Sequence, residues 1–143
     1  MKIKVINYGY EQLPLRAHYN DAGADVHAYI KNEEKKIKIA AHSTVKIPLG
    51  FGLILPDGFM ACIYPRSGLS SKGIVCELPP IDSGYRGEVH AIVSNLSDET
   101  FTVNDGDRIG QVVITPVLIA EFVDKDEDNS EERGAGAFGS TGV

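Results

Sequence analysis

The feature that most constrains this chain is the step of two between its apolar residues. Ile3 and Val5, Ile37 and Ile39, Val45 and Ile47, Ala61 and Ile63, and Val112 and Ile114 each skip one position. The longer runs Phe51, Leu53, Leu55 and Val89, Ala91, Val93 do the same. Successive side chains on a β-strand point to opposite faces, so such a run sends one face into a core and the other toward water. Turn-forming clusters separate the runs, at Lys31 to Glu34, Pro56 to Gly58, Asn95 to Glu99 and Asn104 to Asp107. No stretch sustains the 3.6-residue period of a long helix. Many short strands at close spacing predict an all-β fold, a sandwich or jelly roll. One short helix is expected over Ser67 to Lys72, with Ser67 capping its start.

Size allows one such domain. The chain has 143 residues, and 43% of them are hydrophobic, enough for a real core. A formal charge of -6 and a pI near 5.1 argue against a surface that coats nucleic acid, which would be basic. An acidic protein still holds a polyphosphate if cations converge locally or a divalent metal joins the ligand. Cys62 and Cys76 form no CxxC pair and no disulfide framework, so they are expected as buried thiols of a reducing compartment. No apolar stretch approaches membrane-spanning length, and the start, MKIKVINYG, has no signal-peptide core. The expectation is a cytoplasmic protein with neither nucleic-acid nor membrane partners.

From Asp124 the character changes. The run DKDEDNSEE is acidic and should not fold alone. After it comes RGAGAFGSTGV, rich in glycine yet carrying Arg133, Phe138, Ser140 and Thr141. Its Gly134, Gly136 and Gly139 match GxGxxG, but too few residues follow for the helix that a dinucleotide site requires. A linker has no use for Phe138. The expected organisation is a β domain over 1–123, an acidic tether over 124–132 and a glycine-rich arm over 133–143 that orders over a ligand.

Two internal segments carry the candidate chemistry. Pro65 to Gly73 reads PRSGLSSKG, and Ile81 to Glu88 reads IDSGYRGE. Arg66 and Arg86 offer planar donor forks suited to phosphate oxygens. Gly68, Gly73, Gly84 and Gly87 would let a backbone approach a ligand closely. Asp82, between Ile81 and Ser83, is a candidate base. Asp25 sits in an alternating strand entered through Gly23, and alone reads more readily as a local backbone partner. In GDRIGQ, Arg108 is expected to pair with a carboxylate, and Gln111 to bond a water or ligand oxygen. His18, His27, His42 and His90 show no metal-ligand spacing.

Taken in order, these segments resemble the five motifs of the trimeric dUTPase family. AGADVHA, from Ala22 to Ala28, is similar to the first, PRSGLSSKG to the second and IDSGYRGE to the third. GDRIGQ, from Gly106 to Gln111, is similar to the fourth, and RGAGAFGSTG, from Arg133 to Gly142, to the fifth. The match spans nearly the whole chain. Two differences stand out: Gly84 replaces an acidic residue common in relatives, and Pro79-Pro80 occupies the lead-in to Asp82. Each proline lacks an amide donor, in a hairpin that reads the uracil edge through its backbone in the family.

The resemblance implies a jelly roll of the dUTPase-like distorted-barrel type, with one short helix and a flexible C-terminal arm. It implies a homotrimer with shared active sites that hydrolyses dUTP to dUMP and pyrophosphate with Mg²⁺. By that similarity Asp82 activates the attacking water, and Tyr85 lies against the deoxyribose. Arg66, Ser67, Gly68 and Gln111 would contact phosphates, and Asp25 would reach the metal through water. Phe138 would stack on uracil; Arg133, Ser140 and Thr141 would hold the terminal phosphate; Ile81 and Gly139 would also touch substrate. The dCTP deaminases share the fold and similar second and third motifs but not the arginine–phenylalanine arm. A regulatory protein partner, as phage-type relatives are thought to have, is left open.

Overall fold

The structure, a computed structural model, describes residues 1–125 and 142. The acidic tether beyond Lys125 and the arm residues Arg133, Phe138, Gly139, Ser140 and Thr141 lie outside the described residues. Ten strands and one short helix follow in order: β1 (Lys4–Asn7), β2 (Ala24–His27), β3 (Lys36–Ile39), β4 (Thr44–Pro48), β5 (Phe51–Ile54), β6 (Phe59–Tyr64), α1 (Ser67–Ser70), β7 (Ile74–Cys76), β8 (His90–Asn95), β9 (Phe101–Asn104) and β10 (Arg108–Pro116). They pair in four small sheets, β1-β5, β2-β10-β6, β3-β9 and β4-β8-β7. Every strand pair is antiparallel. The all-β expectation with one short helix holds, and the ladders stay separate rather than closing into one barrel.

The step-of-two residues form the core. Phe51, Leu53 and Leu55 are buried, as are Val89, Ala91 and Val93 on the facing run, and Ile39 and Ile47 lose all exposure. Each fully buried side chain of this size contributes about 1.5–3 kcal/mol against leaving it in water. All four turn clusters fall between strands, and Gly106 in the fourth takes φ 84°, where a side chain would be strained.

The centre of the site-bearing sheet is β10, which pairs with β2 on one side and β6 on the other. Its register slips between Arg108 and Gly110: Arg108 faces His27, while Gly110 faces the adjacent Val26. One extra residue, Ile109, is thus inserted as a β-bulge, and it is buried with Gly110. A Cβ on Gly110 would come within 2.9 Å of both the Ile63 side chain and the Tyr64 carbonyl oxygen, so close approach of β6 demands glycine there.

The helix differs from expectation at its start. Arg66, not Ser67, is the N-cap, extended at φ -87° and ψ 137°, and no side chain caps the turn. Ser67 instead begins the helix. Amides of Ser70, Lys72 and Gly73 bond back to Arg66, Leu69 and Ser70 carbonyls, and Gly73 at φ 81° ends the run.

Candidate active site

The predicted residues gather in two groups. The first lies on the β2-β10-β6 sheet. Gln111 of β10 stands opposite Asp25 of β2 and Tyr64 of β6, and directly opposed residues of antiparallel strands share a face. Arg108 is three positions before Gln111, which in a regular strand would put it on the other face. The bulge at Ile109 cancels that parity, and Arg108 reaches Asp25. Its Nη1 donates to Asp25 Oδ2 at 3.2 Å. From the N-cap of α1, Arg66 brings its Nε to 3.8 Å from Asp25 Oδ1. Gln111 Nε2 donates to the Pro65 carbonyl at 3.1 Å, tying β10 to the segment that presents Arg66.

Asp25 therefore sits between two guanidiniums, with its side chain 26% exposed, against 34% for Arg66 and 52% for Arg108. Ion pairs so open to water contribute at most about 1 kcal/mol. Their consequence is placement: two guanidiniums are held around one carboxylate, in a hollow that Asp107 also lines. Ser67 and Gly68 are exposed beside them in α1. A Cβ on Gly68 would meet nothing within 4 Å, so packing within the chain does not explain that glycine.

The second group is the loop from Leu78 to Val89. Ile81 makes an isolated bridge to Ala61, with its amide 2.7 Å from the Ala61 carbonyl oxygen and the return bond at 3.1 Å. That bridge fixes the loop to the middle of β6. The Tyr85 amide closes a turn onto the Asp82 carbonyl at 3.1 Å. Arg86, read from sequence as a phosphate fork, turns Nη1 back onto the Ser83 and Tyr85 carbonyls at 2.6 and 2.9 Å and braces the loop. The Asp82 carboxylate is left exposed and, among the described residues, accepts no hydrogen bond and forms no ion pair.

Behind this loop is a cavity of about 230 Å³. Ile63, Ile81, Val89 and Ile92 give it apolar surface, and Asp82 and Tyr85 stand among its walls. The Tyr85 hydroxyl donates to the Glu88 carbonyl at 3.0 Å. A Cβ on Gly87 would collide with the Tyr85 ring, so this glycine lets the phenol fold over its own loop. On Gly84, a Cβ would meet open space.

The sequence missed three polar residues of this wall, Lys46, Glu77 and His90. Lys46 of β4 faces Ile92 of β8, and the amide of Glu77 bonds the Ile92 carbonyl at 2.8 Å from the other side. Strand parity offered the signal: Lys46, His90 and Ile92 occupy the outward positions between the core residues Ile47, Ala91 and Val93. Glu77 is anchored as well, since Ser94 Oγ donates to its Oε1 at 2.9 Å and meets Thr44 Oγ1 at 2.7 Å.

The two groups stay apart within one chain. No residue lines both the Asp82 cavity and either hollow beside Arg108. Along β6 their anchor points, Ala61 and Tyr64, are three residues or about 10 Å apart. Neither cysteine offers chemistry: burial pushes the Cys76 thiol up to about 11, with Glu77 adding to it, and burial also raises Cys62. Both are free and buried. Among the described residues no three His, Cys, Asp or Glu side chains cluster to hold a metal, and no helix is long and apolar enough to cross a membrane.

Compared with known proteins, residues 10–142 match the dUTPase family model. A deoxyuridine 5'-triphosphate nucleotidohydrolase of Fusobacterium nucleatum subsp. nucleatum is 39% identical over 145 residues, covering 99% of this chain and 97% of its own length. One from Rhizobium leguminosarum bv. trifolii is 41% identical over 134 residues, covering 92% and 85%. Among solved structures, a mutant dUTPase of Staphylococcus bacteriophage 80alpha with dUpNHpp superposes with a TM-score of 0.86 at 26% identity, covering 99% of each chain.

Proposed function

The chain belongs to the dUTPase family, and from that premise we propose that it hydrolyses dUTP to dUMP and pyrophosphate. The reaction would limit uracil incorporation into DNA and supply dUMP for dTMP synthesis. One observation carries the assignment of roles: the Asp82 carboxylate, unpartnered among the described residues, on the wall of a cavity that Tyr85 also lines.

An ionised aspartate with no donor engaged on it is free to accept a proton from water. The water oxygen bonds to the α-phosphorus as its proton passes to Asp82. The bond from that phosphorus to the bridging oxygen breaks, and pyrophosphate leaves with the electron pair. Positioning supplies more of the rate than basicity does. Tyr85 packs against the deoxyribose, where a 2′-hydroxyl would clash, and Ile81 borders the base. Arg66, Ser67, Gly68 and Gln111 engage the phosphates. Arg133, Phe138, Gly139, Ser140 and Thr141 complete the site from the arm.

Mg²⁺ is the proposed cofactor, neutralising phosphate charge in the transition state when bound to the substrate. The donor set fits a cation that arrives on the triphosphate. Asp25, with both oxygens already facing guanidiniums, suits a contact through water rather than direct ligation.

The separation of the two groups supports a homotrimer whose sites join the Arg66–Gln111 face of one subunit to the Asp82 cavity of the next. The organisation proposed is a β domain over 1–123, a tether over 124–132 and an arm over 133–143. Two free, buried thiols suit the cytoplasm.

The test is incubation of the full chain with dUTP, dCTP, dTTP or UTP and Mg²⁺, following pyrophosphate. Release from dUTP alone is expected. Ammonia from dCTP would make the protein a deaminase of the same fold, and silence with dUTP would overturn the assignment.

A further inference from the structure

The polar groups that could read a base in the Asp82 cavity are unevenly supplied. Pro79 and Pro80 line it and carry no amide hydrogen, so that stretch of wall donates nothing from its backbone. Any donor there must be a side chain, whereas acceptors include backbone carbonyls as well as side chains. Glu77 has one carboxylate oxygen already held by Ser94 Oγ. Glu88 Oε1 accepts from the Gly50 amide at 3.0 Å. His90 is the neutral-capable ring among them, and its chemistry is fixed by one bond.

His90 Nδ1 lies 3.0 Å from the Glu88 carbonyl oxygen. A carbonyl oxygen only accepts, so Nδ1 must carry the hydrogen. In the neutral ring Nε2 is then a bare lone pair, and among the described residues it has no partner. The same Glu88 oxygen accepts from the Tyr85 hydroxyl at 3.0 Å. Two donors on one oxygen place His90 Nδ1 and the Tyr85 hydroxyl within about 6 Å of each other. A sugar against Tyr85 thus brings its attached base to the imidazole.

We propose that His90 is a specificity-determining residue of this site: its Nε2 accepts the N3 hydrogen of uracil. Cytosine presents a lone pair at N3 and would face lone pair against lone pair. The inference rests on reading the cavity as the pyrimidine deoxynucleotide site, and it gives that site its preference for uracil over cytosine.

The experiment compares dUTP, N3-methyl-dUTP and dCTP as substrates of the wild-type chain, His90→Leu, His90→Gln and Glu77→Gln, with thermal melts to confirm folding. In the wild type, methylation at N3 should lower kcat/KM by about 10-fold or more through KM. His90→Leu should narrow both the methyl penalty and the dUTP over dCTP preference by about the same factor, with the loss on dUTP falling on KM more than on kcat. His90→Gln, whose amide oxygen can accept, should recover part of each. Unchanged ratios in a folded His90→Leu chain, or loss of discrimination in Glu77→Gln instead, would overturn the assignment. Calorimetric binding of dUMP, N3-methyl-dUMP and dCMP reads the same ratios without turnover. Were wild-type chain to leave dUTP intact, the functional reading would fail while these affinities still judged His90.

Discussion

Around Asp25, charge is answered inside the chain: Arg108 and Arg66 approach its two oxygens, and Gln111 gives one N–H to the Pro65 carbonyl. Around Asp82 the opposite holds, because Arg86 braces carbonyls of its own loop and leaves the carboxylate alone. The difference separates two jobs. A paired carboxylate flanked by cations holds two guanidinium forks in place, and such forks suit an anion. An unpaired, solvated one beside an apolar-floored cavity remains free to take a proton.

The sharpest break in this comparison is Asp82→Asn. Losing the base should lower kcat by about 10³-fold or more while dUTP affinity stays near wild type. Near-normal turnover would strip the loop of its proposed role. Arg66→Ala should act differently, lowering kcat/KM by about 10- to 100-fold as one charge-assisted contact disappears. The two variants together then test where the site lies. If one subunit contributes Arg66 and another Asp82, randomly mixed Asp82→Asn and Arg66→Ala trimers should recover activity, to about a quarter of wild type. No recovery after co-expression or refolding together would place both groups in one chain's site.

A smaller effect separates the cavity's selectivity from its chemistry. Tyr85→Ala should raise activity on UTP relative to dUTP by about 10-fold, because the ring that bars a 2′-hydroxyl is gone. The ratio is the readout, since loss of the bond to Glu88 affects both substrates. An unchanged ratio would leave Tyr85 with the loop-bracing role that its hydroxyl already shows.

Legibility in the sequence followed parity. Wherever apolar residues stepped by two without interruption, as at Phe51 to Leu55 and Val89 to Val93, strand and buried face were readable. Asp82 and Tyr85 were readable because hydroxyls, glycines and charges crowd a short loop that a core would not use. The bulge at Ile109 was not, since an inserted residue leaves no mark in an otherwise regular GDRIGQV; it alone brings Arg108 to the Asp25 face. Lys46, Glu77 and His90 escaped notice for a related reason. They are single polar residues at outward positions of three strands, and only pairing across β4, β8 and the end of β7 converts them into one wall. Ser67 failed as a cap because Arg66 already holds the extended conformation that an N-cap needs.

The smallest effect lies in the core under the bulge that carries Arg108, and Cys76 measures it. Its thiol is buried against β10, 4.0 Å from the Ile109 carbonyl oxygen, and burial with Glu77 lifts it from 9.0 to about 11. A raised value means that the folded chain keeps a proton the unfolded chain has released. The stabilisation is fully present below about pH 9 and should be lost as pH rises through about 11, because ionisation then favours the unfolded form. Other groups titrate in the same range, so the difference between two proteins is the measurement. Against pH, the stability of wild type should fall more steeply between pH 9 and 11 than that of Cys76→Val. Each would be followed by urea unfolding under reducing conditions. Parallel slopes would show that Cys76 feels water in this core as the unfolded chain does. The core between β7 and the bulge of β10 would then be wetter than its apolar residues suggest, and closer in character to the solvated Asp25 face.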